Sequence, residues 1–188
     1  MKKIFIISYS LFILAVLLTS CRKSTPYVYH GLPKEYTSAW EELYGKCYDS
    51  VPYSVVALDL YSEGLELDSN HRMQGTGYNL YISDIFVEGD TLALGEYHSL
   101  RPDSLYPKPF TFLPGKDWDG QPTGMYVLYV EEGKLQSIQM LDSGYFVVAD
   151  TTEALTDLQF TLYYKNIYGS RVTYKTHFQG PLAPWQKQ

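Results

Sequence analysis

The sequence predicts an all-β domain: an antiparallel meander of about eight or nine strands forming a barrel or a sandwich, with at most one short helix near the N-terminus. Three observations lead there. Apolar and polar residues alternate over runs of about eight. Turns carrying glycine separate these runs. The composition is rich in residues that pleated surfaces favour, with 19 tyrosines, 8 phenylalanines and 3 tryptophans.

The chain opens with Lys2 and Lys3, an apolar stretch from Ile4 to Leu18, and small residues Thr19 and Ser20 before Cys21. That is the layout of a secretory signal. The stretch falls short of the roughly 20 apolar residues that cross a bilayer, and Arg22 and Lys23 follow it at once, which disfavours a retained transmembrane anchor. Leu18-Thr19-Ser20-Cys21 looks like a lipobox, the site where bacterial lipoproteins are linked to diacylglycerol and cut before the cysteine. Each buried acyl methylene contributes about 0.8 kcal/mol, and two chains together hold a protein stably on a membrane. The expected organisation is a signal peptide over residues 1–20, a lipidated tether over 21–34 and a single β domain over 35–188. The tether carries Ser, Thr and two prolines without periodicity.

Residues Pro33 to Lys46 are the one helix candidate, because Trp40, Leu43 and Tyr44 recur at spacings of three and four; a strand through Trp40 to Tyr44 is the alternative. Strands are predicted from Tyr53 to Tyr61 and from Gly77 to Val87, with shorter ones from Tyr97 to Leu100 and from Phe110 to Leu113. Met125 to Val130 is apolar at nearly every position, as in a strand covered on both faces. Glu132-Gly133 turns the chain into Leu135 to Leu141, and Asp142-Ser143-Gly144 turns it again into Tyr145 to Ala149, which predicts three consecutive antiparallel strands. The final hairpin alternates most clearly. Leu158, Phe160, Leu162 and Tyr164 fall on one face, and Val172, Tyr174, Thr176 and Phe178 repeat the pattern beyond a turn at Gly169.

Cys21 is committed to lipid in this reading, so Cys47 has no partner in its own chain, and a buried or semi-buried structural thiol is the expectation. The formal charge is −6, and it becomes about −8 once Lys2 and Lys3 leave with the signal. An acidic domain repels phosphate-rich polymers, which disfavours nucleic acid as a partner.

Catalytic and metal motifs are sparse. His30, His71, His98 and His177 stand at no metal-ligand spacing. Gly115-Lys116-Asp117-Trp118-Asp119-Gly120 faintly resembles the start of a calcium loop, but Pro122 interrupts it and a polar turn is the simpler reading. No Gly-x-Ser-x-Gly or Gly-x-x-x-x-Gly-Lys occurs, and Gly75-Thr76-Gly77 opens a strand and not a helix. The expectation is therefore no enzyme, no cofactor and no metal. Aromatic residues are the remaining candidates for a ligand surface, because ring faces stack on sugars and phenols hydrogen-bond their hydroxyls. The positions are Trp118 in a turn, Tyr163 on the outward face of its strand, and Tyr81 or Tyr78, whichever lies off the core. Packing alone accounts for most tyrosines in sheets.

Several segments carry a family resemblance: Tyr44-Gly45, Gly75 to Ile82, Leu92-Ala93-Leu94-Gly95-Glu96-Tyr97, Phe110 to Gly115, Gly144 to Val148, and Tyr174 to Leu182. Together the chain resembles the small all-β lipoproteins of unknown function from Bacteroides and related bacteria, with Ala93 where that family's Leu-Pro-x-Gly-x-Tyr signature has proline. The resemblance implies a shared fold and transfers no catalytic residue. The functional expectation is a membrane-anchored, non-catalytic envelope module that binds glycan or protein. A lipocalin-like barrel carrying a small apolar ligand is the alternative, and a pilin-like subunit is a more distant one. The outer membrane is the expected site, since Arg22 stands where an inner-membrane retention signal has aspartate. The periplasmic face is preferred over the surface, since no acidic run follows Cys21.

Overall fold

A computed structural model describes residues 31–101, 104, 106–152 and 155–184. The signal segment, Cys21, His30 and most of the predicted tether lie outside the described residues.

Every regular element among the described residues is a strand. The first are β1 (Glu35–Tyr36), β2 (Ser38–Gly45), β3 (Ser54–Tyr61), β4 (Leu65–Leu67), β5 (Met73–Gly75), β6 (Gly77–Val87), β7 (Gly95–Ser99) and β8 (Thr111–Phe112). After them come β9 (Lys116–Trp118), β10 (Gln121–Thr123), β11 (Met125–Glu131), β12 (Lys134–Met140), β13 (Ser143–Thr151), β14 (Thr156–Lys165), β15 (Arg171–Gly180) and β16 (Leu182–Pro184). Twelve form one sheet, whose ten-strand path β1-β15-β14-β13-β7-β8-β6-β3-β2-β16 curls as a half-barrel. β11 joins the sheet beside β6 and carries β12, while β4–β5 and β9–β10 are separate two-stranded hairpins.

The closing hairpin has the alternation its sequence predicts. Leu158, Phe160, Leu162 and Tyr164 of β14 are buried, as are Tyr174, Thr176 and Phe178 of β15. Asn166 closes the turn, its side-chain oxygen accepting the N–H groups of Tyr168 and Ser170 at 3.0 and 2.9 Å, and Gly169 takes the positive φ of 76°.

The described residues hold sixteen strands where the sequence predicts about eight or nine, because short pairs such as β4–β5 and β9–β10 carry no periodic signal. Two further expectations, the meander and the burial of Cys47, are corrected, and the open choice at residues 38–45 is decided. Residues 38–45 form a strand and no helix. Ala39 is buried while Trp40 turns to the opposite face, and pairing with β3 and β16 outweighs an apolar spacing that also suits a helix. The meander breaks after β12, which pairs β11 while β13 pairs β7 and β14. Asp142-Ser143-Gly144 does not fold back on β12, because the Asp142 N–H already bonds the Tyr163 carbonyl at 2.9 Å and the Gly144 N–H bonds Ser99 Oγ at 3.0 Å. Cys47 is likewise exposed, not buried.

One apolar cluster fills the concave side with residues from β1, β2, β3, β6, β7, β8, β11, β13, β14 and β15. Phe146 is its hub: its ring stacks on Tyr97 at 4.7 Å and meets Phe112 and Phe160, each at 5.4 Å. The loop before β7 is fastened to the core: Leu92 is buried, its N–H bonds Glu41 Oε1 at 2.8 Å, and Tyr97 Oη accepts the Ala93 N–H at 2.9 Å. Gly115 has a packing reason of its own, since a Cβ there would lie 2.0 Å from the Met125 carbonyl oxygen.

At the ends of the path, β1 pairs β15 in parallel (Glu35↔His177, Tyr36↔Phe178) and β2 pairs β16 in parallel (Ala39↔Leu182, Trp40↔Ala183, Glu41↔Pro184). One residue separates β1 from β2 and one separates β15 from β16. The first two strands of the domain therefore lie along its last two.

Phe146→Ala should lower unfolding free energy by about 3–5 kcal/mol, whereas Ile167→Ala, at a side chain 91% exposed, should change it by less than about 0.5 kcal/mol. Chemical denaturation of the two variants checks the placement of the core, and a mild Phe146→Ala would contradict it.

Candidate functional site

Alternation along β2, β3, β6 and β11 sends one set of side chains to the convex face. The cross-strand register then lines them up: Trp40 opposite Asp59, Asp59 opposite Tyr81, and Tyr81 opposite Tyr126. A carboxylate thus stands in a row of three aromatic residues spread over four strands. The Tyr81 and Tyr126 rings are 5.3 Å apart.

Asp59 is fixed from two sides. Tyr61 Oη donates to its Oδ2 at 2.5 Å, and Asn79 Nδ2 donates to its Oδ1 and to the Leu60 carbonyl, the latter at 3.1 Å. Burial dominates its titration and pushes the carboxyl up to about 6; the bonds from Tyr61 and Asn79 oppose the rise, and the nearby Glu42 charge adds to it. Glu42 accepts from Tyr44 Oη at 2.8 Å, and that phenol lies 3.2 Å from Tyr81 Oη. Burial raises Tyr81, Tyr61 and Tyr44 above the ordinary phenol value and Tyr126 to about 12, so all four stay protonated as donors at neutral pH.

Between Trp40, Glu42, Ala57, Asp59 and Tyr81 lies a notch of about 30 Å³. It opens because residue 57 is alanine, too small to fill the space between its neighbours. Next to it β6 carries a bulge: Val56 and Leu58 pair with Ile85 and Ile82, leaving Ser83 and Asp84 opposite Ala57 alone. Asp84 takes a φ of 53° and accepts the hydroxyls of Tyr48 and Ser83 at 2.5 and 2.6 Å.

The three aromatic residues singled out by sequence do not share one surface. Tyr81 belongs to the row. Tyr163 points outward from β14, with the Arg171 guanidinium 4.0 Å over its ring, and β13, β7 and β8 separate β14 from β6. Trp118 lies on the β9–β10 hairpin, 62% exposed, with Lys116 Nζ 4.9 Å from its ring centre. Asp117 accepts the Gly120 N–H at 2.8 Å as a turn cap. Among the described residues no group of three or more His, Cys, Asp or Glu could hold a metal ion. His98 pairs with Glu96 at 2.9 Å and His177 with Glu35 at 3.6 Å.

Sequence reasoning missed Asp59, Glu42, Tyr44, Tyr61, Asn79 and Tyr126. A signal was present: Asp59 is the one charged residue of Ser54–Tyr61, a strand otherwise buried on both faces, and a carboxylate in such a run must be partnered. The larger concavity lies elsewhere, a groove of about 490 Å³ on the β14–β15 hairpin. Comparison of the chain with protein-family models, curated protein sequences and solved structures returned no match.

The raised Asp59 value fixes a sign for pH dependence. Its contribution to stability is fully present below the unfolded value near 4 and is lost as pH rises through about 6. Relative to Asp59→Asn, the native chain should lose roughly 2–3 kcal/mol between pH 4 and pH 7. Other carboxylates, Glu41 included, titrate in both proteins and cancel in the difference. Urea denaturation across that range measures it, and a flat difference would mean that Asp59 is not desolvated.

Proposed function

We propose that this chain is a non-catalytic, lipid-anchored module of the cell envelope, and that it binds glycan through the row Trp40, Asp59, Tyr81 and Tyr126. The row itself carries the proposal. Ring faces for stacking, phenol donors and carboxylate acceptors occur together on a rigid sheet face, which is the chemistry that holds a sugar's apolar face and its hydroxyls at once. Asp59 pre-positioned by Tyr61 and Asn79 loses little freedom on binding.

The filled concave side favours this reading over a carrier of small apolar ligands, because Phe146 and its neighbours occupy the space such a ligand would need. We read the curled sheet as a barrel and not a sandwich, since the first two strands, β1 and β2, pair with the last two, β15 and β16. A notch of about 30 Å³ is too small to admit a scissile bond together with attacking water, which favours binding over turnover. A protein partner is the second reading; Leu135 and Ile138, exposed by 55% and 41% on β12 beyond Tyr126, favour it. Anchoring through Cys21 rests on the lipobox and on the resemblance to Bacteroides lipoproteins. The outer membrane, periplasmic face, follows from the residues after Cys21.

Two measurements test these proposals. On a glycan array and in titrations of the best ligand, Trp40→Ala and Tyr81→Ala should each weaken binding about fivefold, as a stacked ring contributes on the order of 1 kcal/mol, while Trp118→Ala should leave it unchanged. Turnover of a glycan that Asp59→Asn abolishes would replace binding with catalysis. Separately, Cys21→Ser should abolish labelling by a fatty-acid probe, and persistent labelling would refute the anchor.

A further inference from the structure

The β14–β15 hairpin presents a second outward face whose chemistry differs from that of the aromatic row. Its cross-strand pairs are Asp157 with Gln179, Gln159 with His177, Thr161 with Lys175, Tyr163 with Thr173, and Lys165 with Arg171. From residue 156 to residue 180 the charged side chains are Lys165, Arg171 and Lys175 against Asp157 alone, in a chain whose net charge is −6. Lys34 adds a further cation from the β15 side, where its carbonyl accepts the His177 N–H at 3.3 Å. Glu35, the other acid nearby, lies 3.6 Å from His177 and is absent from the groove's lining.

This face is also concave: Lys34 and Lys175 line the groove of about 490 Å³ together with Gln159, Thr161 and Gln179, and Asp157 is the one carboxylate in its lining. Small-molecule sites occupy roughly 300–1,000 Å³. We infer that this groove is a second binding site, and that its ligand is a sugar bearing a carboxylate. The sign of the charge comes from Lys34 and Lys175, which set a positive potential on an otherwise acidic molecule. The sugar comes from the remaining wall. Gln159, Gln179 and Thr161 offer amides and a hydroxyl, groups that exchange hydrogen bonds with hydroxyls. From Asp157 to Thr161 the face runs roughly 13 Å along the strand, far longer than an isolated anion, so its ligand carries hydroxyls as well as charge. Tyr163 continues the same row and supplies a ring edge beside the groove, with Arg171 over its face. The site lies on a different face from the row of the proposed function, and either can fail without the other.

Calorimetric titration of the full-length protein in neutral detergent tests this, with trigalacturonate as probe, its methyl ester as neutral control and inorganic phosphate as competitor. Trigalacturonate should bind at least tenfold more tightly than the ester, and its affinity should fall as salt rises from low to physiological strength. Lys34→Glu and Lys175→Glu, both at exposed positions, should each weaken it at least fivefold with an unchanged melting profile. Tyr81→Ala should leave it intact, which separates this site from the aromatic row. Equal binding of the ester, indifference to both charge reversals, or displacement by phosphate at concentrations matching the probe would overturn the inference.

Discussion

The parallel seam between the two ends of the chain is the constraint on which the rest of this domain depends. Residues 35–41 lie along residues 177–184, and the seam is fastened by buried phenols. Tyr174 Oη donates to the Pro33 carbonyl at 2.9 Å, so the proton between Tyr174 and Tyr36, also 2.9 Å apart, comes from Tyr36. Burial raises both phenols, Tyr174 to about 12, so neither ionises in any ordinary condition and the relay stays intact. A buried hydroxyl without a partner costs on the order of 1–3 kcal/mol, which makes Tyr36 depend on Tyr174, while Tyr174 also holds the Pro33 carbonyl. The seam also joins residues more than 130 positions apart. Closing it carries the loop-closure cost of distant contacts, which slows folding.

A second constraint follows from how the sheet passes β6. One edge of that strand pairs β3 along nearly its whole length, while the other is divided between β11 at Gly77–Ile82 and β8 at Ile85–Phe86. The division falls at Ser83 and Asp84, where the bulge lies and where the Ser83 N–H bonds the Gly124 carbonyl at 3.0 Å. A bulge adds local twist and re-aims its neighbours. Here it lets one strand serve two partners, and it leaves Ala57 facing two residues with a notch beside it. The irregularity that forks the sheet is therefore the one that opens the candidate site. Asp84 holds its uncommon φ because Tyr48 and Ser83 satisfy its carboxylate.

Legibility in the sequence followed the range of the interactions involved. Gly77 to Val87 reads as a strand to the residue, and the final hairpin reads almost as well, because period-two burial and a turn carrying Gly169 are local signals. β2 was ambiguous because Trp40, Leu43 and Tyr44 satisfy a helical spacing, and only pairing with β3 and β16 decides between the two. The break between β12 and β13 was hidden for the same reason: the sequence Asp142-Ser143-Gly144 has turn chemistry, but Tyr163 and Ser99 have taken its hydrogen bonds. The aromatic row was illegible as a whole, since its members are numbered 40, 59, 81 and 126 and meet only through register. Tyr81 alone was singled out, while Asp59 at the row's centre left a signal that composition and motifs passed over, as the one charged residue inside a buried strand.

The two outward faces divide the molecule's charge between them. Glu42, Asp59 and Asp84 gather on and beside the row, whereas Lys165, Arg171 and Lys175 gather on the hairpin with Lys34 beside it; β13, β7 and β8 lie between the two along the sheet, and the seam of β1 and β16 lies between them the other way round. Specificity is a difference of affinities, and repulsion at the wrong site contributes as much as attraction at the right one. An anionic chain drawn to the hairpin is repelled at the row, and a neutral glycan stacked on Trp40 and Tyr81 finds few rings on the hairpin. Lys34 links this division to the proposed anchor, because it is both a wall of the groove and the last residue of the expected tether.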